Sequence, residues 1–220
     1  MISLKNVTKS YSRGHNNIPV LQNINLDIHN NAFIALLGRS GSGKTTLMNI
    51  LGCLDRLDSG EYYLHHHPIH QLNINELAQV RNNHIGFVFQ QFHLLPQFTA
   101  VENVALPLFY RNVDEQSRLS QAAAILEQLG LGDRLHHKPS ELSGGQQQRV
   151  AIARALITKP DLILADEPTG NLDSKAGEYI MELFNDLHRN GKTIILITHD
   201  SNIAALAHSQ IHLVDGMITP

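Results

Sequence analysis

One cysteine, Cys53, is all that the 220 residues hold, which excludes an internal disulfide and fits a reducing cytosol. No stretch approaches the ~20 consecutive apolar residues that a membrane helix needs. The first residues, Met1-Ile-Ser-Leu-Lys5, lack the layout of a signal peptide. Any membrane role is therefore expected to be peripheral. A net charge of −3 offers no basic face of the kind a dedicated nucleic-acid binder carries. Repeats, low-complexity linkers and long charge runs are missing as well. What is left is an ordinary soluble composition, 42% hydrophobic and 17% charged. A chain of this length forms one large domain or two small ones and buries roughly 70% of its unfolded surface.

Three short apolar runs lack the alternation of half-wet strands and read as buried parallel strands. They are Phe33–Leu37, residues 162–165 and Thr193–Ile197. Each runs straight into polar residues, as expected where ligands bind at the carboxyl ends of strands in open α/β sheets. Ile24, Leu26 and Ile28 alternate with polar residues, which predicts an edge or antiparallel strand, and Ile2 and Leu4 repeat the pattern. Further strand signals fall at 211–214 and Met217–Thr219. Helical spacing joins Leu119, Ala122, Leu126 and Leu129, with Gly130 as the stop. It also joins Ala176, Ile180, Leu183 and Leu187, ended by Asn190-Gly191. Residues 92–140 carry no strand signal and read as a helical subdomain inserted into an α/β core.

Gly38-Arg39-Ser40-Gly41-Ser42-Gly43-Lys44-Thr45 follows the first buried run and precedes an amphipathic stretch (Leu47, Ile50, Leu51). A glycine-rich loop leaving a strand and opening a helix turns several backbone N–H groups toward one anion, and the helix N-terminus adds partial positive charge. The glycines are expected where backbone approaches phosphate too closely for a Cβ. Lys44 would reach the β- and γ-phosphates, Thr45 would hold Mg²⁺, and Thr46 would donate to the α-phosphate. An accidental glycine-rich turn is the bland alternative, and the strand before and the helix after argue against it.

Asp166-Glu167 ends the second apolar run. Two carboxylates at a buried strand end are costly without a cation or donor. Asp166 suits the hydration shell of Mg²⁺, and Glu167 suits proton abstraction from an attacking water. A helix N-cap pair is the alternative, given Pro168 and Thr169. Gln90, after Ile85–Phe89, is placed to bridge Mg²⁺, the water and the helical subdomain, although Gln91 beside it competes for that role. His199, after 193–198, is placed to hydrogen-bond the γ-phosphate. Ser143-Gly144-Gly145 before the helix at 146–157 reads as a second anion nest, with Ser143 as N-cap. The loop at 38–45 already covers the phosphates from one side, so this nest makes sense in trans, offered to another copy.

The run Leu142-Ser-Gly-Gly-Gln-Gln-Gln-Arg-Val-Ala-Ile-Ala-Arg-Ala-Leu156 resembles the signature of the ATP-binding cassette (ABC) transporter ATPases. The order of phosphate loop, Gln90, signature, Asp166-Glu167, Asn171-Leu172-Asp173 and His199 matches the family across the whole chain. The resemblance implies an α/β P-loop NTPase core with a mostly parallel sheet, an N-terminal antiparallel β region and an inserted helical subdomain. Residues 1–91 and 158–220 would form the core and 92–157 the helical part. It further implies a head-to-tail homodimer that closes on two ATP molecules. Ser143, Gly144 and Gly145 would then meet ATP held by the other copy, with Asp173 at the seam. Tyr11 would stack on adenine, a role for which Tyr62 and Tyr63 also compete.

Residues 48–55, 86–96 and 167–173 resemble the macrolide-exporter and lipoprotein-releasing ATPases. These serve permeases with few membrane helices and a large extracytoplasmic domain. The expected function is an ATP-hydrolysing motor at the cytoplasmic face of the bacterial inner membrane, using ATP and Mg²⁺ and contacting no nucleic acid. Residues 92–101 would line the groove for the permease. An ATPase signalling across the membrane to cell-wall hydrolases carries the same motifs. An importer ATPase is disfavoured by the subtype stretches and by the lack of a C-terminal regulatory domain. Soluble relatives acting on DNA or ribosomes need a coiled coil or a second cassette, and a binding module without turnover would leave Glu167 idle. Some relatives continue into a membrane domain, so a whole subunit and an excised domain both fit. One departure is the run His65-His66-His67-Pro68-Ile69-His70. Its histidines stand where a glycine-containing turn is usual, which predicts a wider hairpin. Without an acidic or cysteine partner nearby in sequence, this run and His136-His137 read as solvated loops rather than metal sites.

Overall fold

The computed structural model describes residues 1–14 and 16–219. In chain order its elements begin with strands β1 (Ile2–Arg13), β2 (Asn16–Ile28) and β3 (Phe33–Leu37), helix α1 (Lys44–Leu51), strands β4 (Ser59–Leu64) and β5 (His67–Pro68), helix α2 (Ile74–His84) and strand β6 (Ile85–Phe89). Helices α3 (Ala100–Phe109), α4 (Glu115–Gln128) and α5 (Gly144–Leu156) follow, then β7 (Leu162–Asp166), α6 (Ser174–Arg189), β8 (Thr193–Ile197), α7 (Ser201–Ala204), β9 (Ser209–Val214) and β10 (Met217–Thr219).

These elements form two compact units, residues 1–81 with 188–220 and residues 82–187. In the first, β2, β1, β4 and β5 make an antiparallel sheet. Asparagines at positive φ, Asn6 and Asn23, mark the register shifts between β1 and β2 and keep Ile2, Leu4, Val7, Leu21, Ile24 and Ile28 buried. A second sheet of the same unit pairs β3 in parallel with both β8 and β9, and β10 closes its edge antiparallel to β9. β3 and β8 are buried almost end to end, which is why their sequences are unbroken apolar runs. Cys53 is buried here, and burial pushes its thiol up to about 12, so it is an inert core residue.

In the second unit β6 pairs in parallel with β7. α4 buries Ala122 and Leu126, and Gly130 follows its C-cap at a φ of 69°. α3 starts with a capping box in which Thr99 and Glu102 satisfy one another's backbone N–H groups. No strand lies among the described residues from 92 to 140. Two features differ from the sequence reading. α2 gave no periodic signal because it buries Leu77 alone. The hairpin between β4 and β5 is tight rather than wide. Tyr63 pairs with Pro68 and Leu64 with His67, which leaves His65 and His66 as the whole turn, at φ 49° and 67°. Both residues accept the left-handed backbone that a two-residue hairpin turn requires.

Candidate functional site

Leu37 ends β3 and Lys44 opens α1, so residues 38–43 form the loop between them in the first unit. Gly43 is the helix N-cap at φ 103°, and no side chain caps its N-terminus. That end therefore keeps unsatisfied N–H groups and a positive dipole for an anion. The three loop glycines are required for different reasons. A Cβ on Gly38 would collide with the Leu213 carbonyl and Ser42 Oγ, and one on Gly43 would lie 2.9 Å from the Val20 carbonyl oxygen. Gly41 has nothing within 4 Å on that side and is required only by its φ of 79°. Close packing on the protein's own backbone, rather than on phosphate alone, thus explains two of the three. Lys44 Nζ donates to the carbonyls of Gly38 at 2.7 Å and Arg39 at 2.9 Å, which bends the ammonium back over the loop. Ser42 Oγ is buried with no hydrogen-bond partner among the described residues. Arg39, Ser40 and Thr45 are exposed and Thr46 is half-buried. A nested loop with an uncapped helix end, a lysine and a spare hydroxyl fits a polyphosphate.

His199 belongs to the same unit. It follows β8, whose neighbour β3 carries the loop, with Leu36 opposite Ile197. It is exposed and precedes Asp200, which caps α7 by accepting from Asn202 N–H at 2.7 Å. Of the three tyrosines weighed for base stacking, Tyr62 is only 1% exposed and spends its hydroxyl on the Leu51 carbonyl at 2.7 Å. Tyr11 is 40% exposed. Its hydroxyl meets Asp55 at 2.6 Å and lies beside the Thr46 side chain in the first turn of α1.

In the second unit, strand register does the positioning. Phe89 pairs with Asp166, so Gln90 and Glu167 leave adjacent strand ends. Glu167 has φ 45° and its carbonyl accepts from Gly170 N–H at 3.0 Å, closing a turn. The reading of Asp166-Glu167 as a helix cap fails, because α6 is capped by Asp173, whose Oδ1 accepts from Ala176 N–H at 2.8 Å. Of the two glutamines, Gln90 is the engaged one. Its Nε2 donates to Asn171 Oδ1 at 3.3 Å, and Asn171 Nδ2 donates to the Gln90 carbonyl at 3.0 Å. A Cβ on Gly170 would lie 2.7 Å from Gln90 Nε2, so a larger residue there would push the glutamine amide from its place. The chain beyond Gln90 is tied twice more. Arg154 donates to the carbonyls of Phe92 at 2.7 Å and His93 at 2.6 Å, and Asn103 holds Leu95 through both its N–H and its carbonyl.

Ser143 caps α5 and shares a capping box with Gln146, its backbone N–H donating to Gln146 Oε1 at 2.8 Å. An open cavity of about 430 Å³ collects Ser143, Gly144, Gly145 and Asp173 along one wall system, with Arg149, Lys175 and Tyr179. All four residues expected to serve another copy therefore face one cavity within one unit. Sequence reading missed the two cations there. Arg149 packs over the Tyr179 ring at 5.4 Å, a pairing between α5 and α6 that no local spacing announces. Among the described residues no helix is long and apolar enough to cross a membrane.

Comparison with known proteins agrees with this geometry. The profile of the ABC transporter family matches residues 21–170. YvrO of Bacillus subtilis, an uncharacterized ABC transporter ATP-binding protein, is 53% identical, covering 98% of this chain and 94% of that protein. The macrolide export ATP-binding/permease protein MacB of Escherichia coli is 49% identical over 99% of this chain, which spans only 34% of MacB. The solved dimer of the ATP-binding cassette MJ0796 in a post-hydrolysis state, bound to ADP and Pi, superposes with a TM-score of 0.92 at 47% identity, covering 100% of this chain and 97% of that one. The chain belongs to the ABC transporter family as one of its ATP-binding domains, an α/β ABC ATPase fold that binds ATP.

Proposed function

We propose that the chain is the motor of a membrane exporter, coupling ATP binding and hydrolysis in a head-to-tail homodimer to a permease that moves or releases substrate on the extracytoplasmic side. The observation that carries this reading is the gathering of Ser143, Gly144, Gly145 and Asp173 around one open cavity that holds no phosphate loop of its own unit. Such a half-site has chemical purpose when another copy brings its nucleotide to it. The MJ0796 dimer and the MacB likeness support the same view. The permease would have few membrane helices and a large extracytoplasmic domain, and the chain would sit against it at the cytoplasmic face of the bacterial inner membrane.

In this mechanism the loop 38–45 cradles the phosphates and Lys44 exchanges the Gly38 and Arg39 carbonyls for phosphate oxygens. Tyr11 stacks on the base. Thr45, Gln90 and Asp166 would hold Mg²⁺, which supplies charge neutralisation between the phosphates. Glu167 takes the proton of the attacking water, Gln90 orients that water, and His199 donates to the γ-phosphate. Glu167→Gln keeps ATP binding and stops turnover, so with ATP and Mg²⁺ it accumulates as a dimer in light scattering. A monomer under those conditions overturns the paired mechanism.

A further inference from the structure

Tyr11 is held by a small polar network built from its own strand and from the end of α1. Its hydroxyl donates to Asp55 Oδ2 at 2.6 Å. The other oxygen, Asp55 Oδ1, accepts from Lys9 Nζ at 3.0 Å and from the Arg56 backbone N–H at 2.7 Å. Lys9 donates again to the Arg56 carbonyl at 2.6 Å and pairs with Asp58 at 3.5 Å. Its ammonium also lies over the Tyr11 ring, 5.2 Å from the centroid. Lys9 is 8% exposed and Tyr11 40%. The cation is thus locked inward against one face of a ring that otherwise meets solvent.

Asp55 is placed by the helix that the phosphate loop opens. Just past α1, its N–H donates to the Asn49 carbonyl at 3.1 Å, and the Leu54 N–H donates to the same carbonyl at 2.8 Å. One helix therefore carries the phosphate loop at its start and the anchor of Tyr11 beyond its end.

We propose that Asp55, supported by Lys9, is a positioning residue for nucleotide binding, fixing Tyr11 as a preformed platform for the purine of ATP. This rests on the reading of Tyr11 as the base-stacking residue. An exposed tyrosine near a strand end samples several rotamers, and stacking a base on it costs that freedom. A hydroxyl bonded to a carboxylate and a ring covered on one face by an ammonium have lost the freedom already. The carboxylate is needed for both its oxygens. Asparagine could still accept from Tyr11, but would turn an N–H donor toward the Lys9 ammonium.

The test is isothermal titration with ATP itself, alongside steady-state kinetics, on Tyr11→Ala, Tyr11→Phe, Asp55→Ala, Asp55→Asn and the double variant Tyr11→Phe with Asp55→Ala. Tyr11→Phe and Asp55→Ala break the same bond, so each weakens ATP binding by about three- to tenfold, the span of one immobilised side chain. The double variant loses less than the sum of the two single losses, because the shared bond is counted once, and the loss falls on KM more than on kcat. Losses that add in the double variant, or a silent Asp55→Ala beside a defective Tyr11→Phe, overturn the proposal. If Asp55→Ala fails to fold, Asp55→Ser, whose shorter side chain also drops the 2.6 Å bond to Tyr11, supplies the same cycle with Tyr11→Phe. A Tyr11→Ala that binds ATP like the parent overturns the assignment of Tyr11 itself, which is a separate failure.

Discussion

Asn171 clasps Gln90 twice, accepting from its side-chain amide at 3.3 Å and donating to its main-chain carbonyl at 3.0 Å. The end of β6 is thereby tied to the turn that follows Glu167. Asn171→Ala frees the Gln90 amide without touching the phosphate loop. We expect kcat to fall roughly three- to tenfold, the worth of about one net hydrogen bond, with KM for ATP little changed. Steady-state ATPase assays decide this, and an unaltered kcat would show that the clasp has no bearing on turnover.

Arg154 tests how firmly the segment beyond Gln90 is fixed. Burial lowers the pKa of its guanidinium, yet it serves the carbonyls of two consecutive residues at positive φ, Phe92 and His93. Losing this charged donor costs about 1.5–3 kcal/mol at the half-buried Phe92 carbonyl and little at the exposed His93 carbonyl, which water can serve. Arg154→Lys should recover little of that, because a single ammonium does not reproduce the fork. Thermal unfolding of both variants against the parent measures it, and a lysine variant as stable as the parent would contradict the fork argument.

Ser143→Arg should spare ATP binding and abolish turnover, because it fills the cavity that the proposed pairing assigns to the other copy's nucleotide while the phosphate loop stays intact. Lys44→Ala should do the reverse and weaken ATP affinity first. Titration with ATP beside an activity assay separates the two, and full turnover in Ser143→Arg would refute the role in trans.

The Lys9–Asp55 pair sets a pH window for the N-terminal sheet. Burial alone would raise the Asp55 carboxyl, but bonds from Tyr11, Lys9 and the Arg56 N–H, with the charge of Lys9, hold it below its ordinary 3.8. A folded value below the unfolded one stabilises above pH 3.8 and is lost as pH falls through the lower folded value. Burial likewise would lower Lys9, yet Asp55 and Asp58 raise it above 10.5, so its contribution is complete below that value and is lost as pH rises through the folded one. The Tm difference between the parent and Asp55→Ala should therefore be constant from about pH 5 to 9 and shrink toward about pH 3. A difference that grows in acid would reverse the sign of this linkage.

The parts of the fold that sequence revealed are those where burial leaves a continuous mark. β3 and β8 are apolar at nearly every position, and their ends coincide with the apolar runs. Loop 38–45 was legible because its chemistry is contiguous. What stayed hidden depends on pairing between distant residues. Tyr11 and Asp55 meet across 44 positions, and Gln90 and Asn171 across 81. Nothing near Asp55 in sequence announces an aromatic partner. Arg154 looks like one more basic residue of a helix until its two carbonyls are seen. The turn at His65-His66 misled for a local reason, since histidine tolerates the left-handed backbone better than a glycine rule allows.

Glu167 carries a consequence of its backbone, held at a φ of 45°. A glutamate in the left-handed region forfeits on the order of 1 kcal/mol that glycine would keep. A search for relief of that strain alone would therefore favour Glu167→Gly, and under the proposed chemistry the resulting protein would be idle. Backbone ease and the proposed turnover thus pull in opposite directions at this one position, so a library screened for ATP hydrolysis should keep glutamate there while one screened only for relief of the strained turn should not.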